Sequence, residues 1–308
     1  MEVLNSTFDG FSSPETYHRV DGMHPLDLYV GIDDQHRWTL LLVCDSEPPK
    51  LESSRMISAQ KGRRTDGRWT LSLTLVDDKY KEIFLLFCSD IIDSSKTISD
   101  KKKAVKFIGK RYQEWREMLA KSREDLLPPS EIKGLLGEMF FLQSYMAPLY
   151  GIEKAAMSWT GPRQLPQDFI VDDTWYEVKT ISSSRSEIKI SSVEQLDSAV
   201  FGKLVVVYAD KTSPTNDNAI NLNNLYAQLM DGITDDSVKS DFSMMLFRFG
   251  YFPRPEYESS DYTFDIKQVH LYEVTASFPC LRRNSLPDSV VEASYTISLP
   301  TILPFREE

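Results

Sequence analysis

Asp168, Glu177 and Lys179 are the residues whose types and spacing best suit chemistry. Glu177-Val178-Lys179 lies in a strand-like run, and residues i and i+2 of a strand point to the same side. Glu177 and Lys179 would therefore project together, while Tyr176, Val178 and Thr180 face the other way. A turn at Asp172-Asp173-Thr174 would fold the preceding strand back and bring Asp168 alongside. Two converging carboxylates make a hard oxygen site suited to Mg²⁺, which takes one or two carboxylates plus water and phosphate oxygens. Such an ion can polarise a phosphodiester and lower the pKa of bound water. Lys179 would orient or help deprotonate that water and offset the charge of the transition state. Glu138 completes the group: it sits in the helical row Glu131, Leu135, Glu138, Leu142, at the margin of an apolar face where an unpaired carboxylate is costly. Taken alone, Glu-x-Lys on a strand usually marks an exposed salt-bridging face. The flanking apolar residues and the aspartate nine residues upstream separate this pair from that default.

The elements that must position these residues follow from periodicity. Ser130 can cap a helix beginning at Glu131, with a broad apolar face of Ile132, Leu135, Leu136, Met139, Phe140 and Phe141. Gly134 and Gly137 within it imply close packing against another backbone. Three strands are expected at Asp168–Val171, Trp175–Ile181 and Glu187–Ile190. A further helix is expected from Ser191 or Ser192, since Ser191-x-x-Glu194 and Ser192-x-x-Gln195 both fit a capping box, with Gly202 ending it. The apolar strand Leu204–Tyr208 follows, so the order is helix, three strands, helix, strand. Upstream, short apolar runs from His24 to Cys88, including Ile83–Phe87, alternate with turn signals and read as an antiparallel β module. Ala104, Ile108, Tyr112, Trp115 and Leu119 then repeat at helical spacing, and Pro128-Pro129 marks a junction. The expected division is a β-rich module at 1–125, ending in a basic amphipathic helix, and a second domain at 126–308. In the second, a helix near Leu222–Met230 and strands at Val269–Val274 and Ser294–Leu299 extend the same sheet.

This set of residues resembles the PD-(D/E)XK nuclease superfamily, with its restriction-endonuclease-like fold. The resemblance rests on Gly137-Glu138, Gln167-Asp168 and Glu177-Val178-Lys179, and more closely on Ile132 to Gln143, Pro166 to Phe169, Tyr176 to Thr180 and Ile190 to Leu196. These runs are similar to a group of bacterial superfamily members met beside restriction-modification and phage-defence genes. It covers about residues 130–210 well and the flanks weakly. The resemblance implies a mixed α/β (α+β) fold with an αβββαβ core, Mg²⁺ held by Asp168 and Glu177 with Glu138 in support, and Lys179 assisting the attacking water. Mn²⁺ would be able to substitute. The proline that usually precedes the aspartate is displaced by one, since Pro166 is followed by Gln167. Gln195, on the side from which this fold often addresses its substrate, is a candidate substrate contact, although it also serves as the third residue of a capping box. Arg163 and Lys189 are candidate phosphate contacts, with an ordinary surface role as the plainer reading. Trp159, Trp175 and Tyr176 could stack on a base, although aromatics in strands usually fill cores.

Composition sets the outer bounds. The 308 residues are 41% hydrophobic and 26% charged, which suits a folded protein and excludes a fibrous or low-complexity one. No apolar run is long enough to span a bilayer, and the N-terminus lacks a basic start and apolar run, so a cytoplasmic address is expected. Cys44, Cys88 and Cys280 lack metal-ligand spacing and read as reduced thiols, and the four histidines show no zinc motif. Net charge is −11, carried almost wholly by residues 126–308, while Lys61, Arg63, Arg64, Arg68 and nine cations from Lys101 to Arg123 gather upstream as possible phosphate contacts. The expected function is a Mg²⁺-dependent endonuclease acting on DNA as the cleavage subunit of a restriction-like or antiphage system. The alternatives are an RNA-directed nuclease and a non-catalytic nuclease-fold subunit that binds DNA or partner proteins. Cutting both strands requires two active sites, so a homodimer is expected. No P-loop is present, so a nucleotide-driven motor, like a methyltransferase, would be a separate defence-system chain.

Overall fold

The computed structural model describes residues 2–96, 98, 100–121, 126–163 and 165–307. The chain divides into two compact units, Met1–Arg123 and Glu124–Glu308. Among the described residues, no helix is long and apolar enough to cross a membrane.

The first unit opens with helix α1 (Glu2–Asp9), followed by strands β1 (Thr16–Arg19), β2 (Asp27–Ile32), β3 (Trp38–Cys44), β4 (Ile57–Arg63) and β5 (Trp69–Leu75). They form one antiparallel sheet in the order β1-β2-β3-β5-β4. Helices α2 (Lys81–Ser95) and α3 (Lys101–Lys121) complete the unit. Ile83–Phe87 lies within α2, contrary to the strand reading. Its apolar run continues through Cys88, Ile91 and Ile92, all of them buried, so a helix covered on most sides imitates a buried strand. In α3 the apolar row Ala104, Ile108, Tyr112, Trp115 and Leu119 is wholly buried.

The cations of this unit are mostly engaged by carboxylates. Arg68 pairs with Asp27 and Asp45, Lys61 with Glu47, Arg64 with Asp66, Arg111 with Asp90 and Arg116 with Glu52. Arg63 lies over the Trp69 ring. Lys101, Lys102, Lys103 and Lys106 are exposed at the start of α3, while Arg123 lies outside the described residues.

The second unit begins with α4 (Pro129–Phe141), continues through a π-helical turn, Leu142–Met146, into α5 (Ala147–Tyr150), and after Gly151 (φ 82°) into α6 (Ile152–Ser158). Proline at the first helical position needs no N–H partner, so α4 starts at Pro129 with Pro128 before it, and Ser130 is not its cap. Strands β6 (Phe169–Val171), β7 (Thr174–Ile181), β8 (Glu187–Ile190) and β9 (Gly202–Lys211) follow, then α7 (Leu222–Gly232), α8 (Asp236–Phe249), β10 (Phe264–Val274) and β11 (Tyr295–Ser298). The main sheet runs β10-β9-β7-β6, with β7 and β9 parallel and the outer pairs antiparallel. Strand β8 pairs with β11 in a separate two-stranded sheet.

Both faces of the main sheet are covered, which explains the unbroken apolar run in β9. One face buries Tyr176, Val178, Val205 and Val207 with Leu135, Leu136 and Met139 of α4. The other buries Trp175, Leu204 and Val206 with Ile188, Ile190 and Ile297. Mixed α/β architecture is thus observed, but the third strand of the expected core, β8, and the strand expected at Ser294–Leu299 leave the main sheet to pair with each other, and one helix is shortened. The helix expected after β8 is a single 3₁₀ turn, Val193–Gln195, and Ser192 makes no side-chain cap. Gly202 does not end a helix. It starts β9, where a Cβ would lie 1.9 Å from the Trp175 indole, so its missing side chain makes room for that ring.

Candidate active site

The site gathers where β6, the edge strand, runs out against β7. Their pairing covers only three positions, Phe169↔Tyr176 to Val171↔Thr174. Asp168, just before β6, extends the ladder: its N–H donates to Tyr176 O (3.1 Å), and its carboxylate Oδ2 accepts the Val178 N–H at 2.7 Å. The backbone of Asp168 is fixed from behind, because Thr160 N–H and Gly161 N–H both donate to its carbonyl, at 2.7 and 3.0 Å. A side chain that would otherwise be a mobile edge group is therefore held against the strand bearing Glu177 and Lys179.

Alternation along β7 works as expected. Val178 and Tyr176 enter the core beneath α4, while Glu177 and Lys179 share the opposite face. Glu177 is 1% exposed and Lys179 16%, with the ammonium 2.7 Å from Glu177 Oε1. Beyond that ion pair, neither carboxylate oxygen of Glu177 has a donor among the described residues. Lys179 Nζ also donates to Gln195 Oε1 at 3.2 Å, and the same oxygen accepts Ser191 N–H at 2.8 Å. Gln195 is thus tied to the lysine and to its own turn instead of forming a capping box.

Glu138 reaches the group from α4, whose close approach depends on Gly137: a Cβ there would lie 1.8 Å from Thr180 Oγ1 of β7. Gly134, by contrast, faces open space. Glu138 Oε2 accepts the indole N–H of Trp159 at 2.8 Å. A Cβ on Gly161 would lie 2.3 Å from that oxygen and 2.9 Å from Asp168 Oδ1, so both carboxyl groups crowd against one glycine.

Electrostatics follow from this enclosure. Burial pushes Glu138 and Glu177 well above the ordinary carboxylate range, and the Asp168 charge pushes both further. Burial raises Asp168 to about 6, against the opposing pull of Lys179 and the Val178 N–H. Three carboxyl groups, Glu177 buried and Glu138 and Asp168 half-buried, thus share one lysine, the kind of perturbed cluster expected at a functional centre. Among the described residues, no group of three or more His, Cys, Asp or Glu side chains has the arrangement to hold a metal ion by itself. A Mg²⁺ ion asks for less, since one or two carboxylates suffice beside water and substrate oxygens. The Glu177 carboxylate, engaged by Lys179 alone, and the adjacent Asp168 fit that demand.

The remaining sequence candidates separate. Lys189 is exposed on β8, where Ile188 and Ile190 turn into the core. Arg163 closes the turn Gly161–Arg163, but its side chain lies outside the described residues. Trp159, Trp175 and Tyr176 are buried, the Trp175 indole N–H donating to Val200 O and the Tyr176 hydroxyl meeting that of Tyr150 at 3.0 Å. Two contributors escaped sequence reasoning, the Trp159 indole as a donor and Gly161. The only signal for them was a Trp-x-Gly-Pro run shortly before Asp168.

Residues 4–300 match the family model described as "Putative PD-(D/E)XK family member, (DUF4420)". No curated protein and no solved structure matches the chain. Members of the PD-(D/E)XK superfamily are usually nucleases and typically use divalent metals. With nearly its whole length under one family model, and with the expected residues meeting at one strand edge, this chain belongs to the DUF4420 family of PD-(D/E)XK proteins.

Proposed function

We propose that the protein is a Mg²⁺-dependent endonuclease that hydrolyses DNA phosphodiester bonds, as the cleavage subunit of a restriction-like or antiphage system. The observation that carries this reading is the excess of carboxyl groups around one lysine, with the buried Glu177 carboxylate engaged by that lysine alone. Asp168 and Glu177 would hold the ion and Glu138 would support them. Bound there, Mg²⁺ would supply Lewis-acid polarisation of the phosphodiester and a more acidic water. The chain's own residues do the rest. The Val178 N–H fixes the Asp168 carboxylate, and the Trp159 indole N–H fixes that of Glu138. Lys179, steered by Gln195, presents its ammonium where an attacking water must lose a proton and where negative charge builds on the phosphoryl oxygens. Lys189 and Arg163 are candidates for flanking phosphates.

A second reading, a nuclease-fold subunit that binds DNA or partners without cutting, draws on the pairing of the first unit's cations with carboxylates. That pairing, with the net charge of −11, favours recruitment through partners over unaided capture of a phosphate backbone. Supercoiled plasmid incubated with Mg²⁺, Mn²⁺ or EDTA separates the two, with Lys179→Ala and Asp168→Ala run alongside. Metal-dependent nicking or linearisation that both substitutions abolish is expected. No cleavage with either metal, or cleavage indifferent to the substitutions, overturns the nuclease reading.

A further inference from the structure

The turn that carries Gln195 closes on three backbone hydrogen bonds, from Gln195 N–H to Ser192 O (3.4 Å) and from Leu196 and Asp197 N–H to Val193 O (3.2 and 3.0 Å). Ser192 adds no cap, and 3₁₀ geometry is weaker than that of an α-helix. Groups outside the turn also hold it. On the far side, Arg282 Nη1 donates to Leu196 O (3.0 Å), Arg283 N–H to Asp197 Oδ2 (2.8 Å), and the Arg283 guanidinium pairs with Glu194. On the side of the site, Gln167 Nε2 donates to the carbonyl of Glu194 at 2.7 Å. The backbone of Gln167 is itself fixed, its carbonyl accepting Thr160 Oγ1–H at 2.7 Å. One amide side chain therefore runs from the residue before Asp168 to the residue before Gln195, whose oxygen steers Lys179.

We infer that Gln167 is a positioning residue that ties the carboxylate half of the site to the lysine half, by holding the Val193–Gln195 turn at the distance at which Gln195 meets Lys179. The inference rests on the nuclease reading of this site. It also gives the residue between Pro166 and Asp168 a use that proline there could not serve, since the strut needs a donor on a chain of this length. Asp168 does not depend on it: the Thr160, Gly161 and Val178 N–H groups hold that residue without Gln167. Loss of the strut should therefore disturb the chemical step and spare metal binding.

The test compares the full chain with Gln167→Met, which keeps the length and removes the donor, and with Gln167→Glu, which turns an acceptor toward the Glu194 carbonyl. Hydrogen–deuterium exchange is read over residues 190–197, and plasmid cleavage is followed against Mn²⁺ concentration. Expected are faster exchange confined to that turn, an unchanged Tm, kcat lower by about tenfold, and a half-saturating Mn²⁺ concentration within twofold of wild type. Unchanged exchange across 190–197 in both variants overturns the inference, as does a kcat loss matched by an equal shift in the Mn²⁺ dependence. Faster exchange in the variants of a chain that never cleaves supports the strut and overturns the nuclease reading alone.

Discussion

Asp90 in the first unit and Glu138 in the second each accept an indole N–H, from Trp115 at 2.7 Å and from Trp159 at 2.8 Å. Around Asp90 the charges close. Its two oxygens also take Arg111 Nε and Nη2 at 2.7 and 2.6 Å, and the acid raises the pKa of that guanidinium in return. Around Glu138 they do not, since Asp168 and Glu177 crowd in and, among the described side chains, Lys179 alone opposes them. A carboxylate with both oxygens engaged, by an arginine and an indole, is a structural fastening. A group of carboxyls forced above their ordinary range, with Glu177 engaged by one lysine alone, is what the proposed divalent-ion site would need.

That contrast can be broken most strongly at Gly161. An alanine Cβ would press on Glu138 Oε2 and Asp168 Oδ1, so Gly161→Ala should lower cleavage by about 100-fold, as displacements of this order at a reacting centre do. Its melting temperature should change little, because the group displaced is the charged cluster and not the core. Asp90→Ala should do the reverse. With Arg111 and the Trp115 indole left without that acceptor, stability should fall by about 2 kcal/mol while cleavage at a permissive temperature is retained. Denaturant melts and plasmid cleavage on the same preparations read both.

The two units should also respond oppositely to pH. Asp27 is held below its usual range, first by its hydrogen bond from Arg68, so its contribution is present above the unfolded carboxylate pKa and lost as pH falls. Asp168, Glu138 and Glu177 are raised, so their contribution is complete below about pH 4 and is lost as pH rises through about 6 and beyond. In EDTA, amide exchange in the second unit should speed from pH 4 to pH 7 by more than the intrinsic rate, and Mg²⁺ should remove that excess. A smaller effect sharpens the reading of α4. Gly134→Ala, in open space, should stabilise by about 0.5 to 1 kcal/mol in a denaturant melt without touching cleavage.

How much of this was legible in the sequence depends on range. Helix α3 could be read because one apolar row repeats over 21 residues. Helix α2 could not, because an element covered on most sides has no polar face to set its period. Asp168, Glu177, Lys179 and Glu138 were visible because strand alternation and a helical row act over a few residues. The 3₁₀ turn at Val193–Gln195 was hidden, since its capping-box pattern competes with a lysine sixteen positions away for the same amide oxygen. Trp159 and Gly161 were hidden for a similar reason. Nothing local distinguishes a core tryptophan from one whose N–H is aimed at a glutamate on another helix. The pairing of β8 with β11, across more than a hundred residues, likewise leaves no trace in either strand alone.

The most direct test of the central claim is Mn²⁺ binding to the purified chain near neutral pH, followed by calorimetry and by the loss of free-ion paramagnetic resonance. The account predicts divalent-ion binding that Asp168→Asn and Glu177→Gln each weaken by at least about tenfold and that Asp90→Asn leaves unchanged. Binding equal in all four proteins, or absent from the wild type, would contradict it.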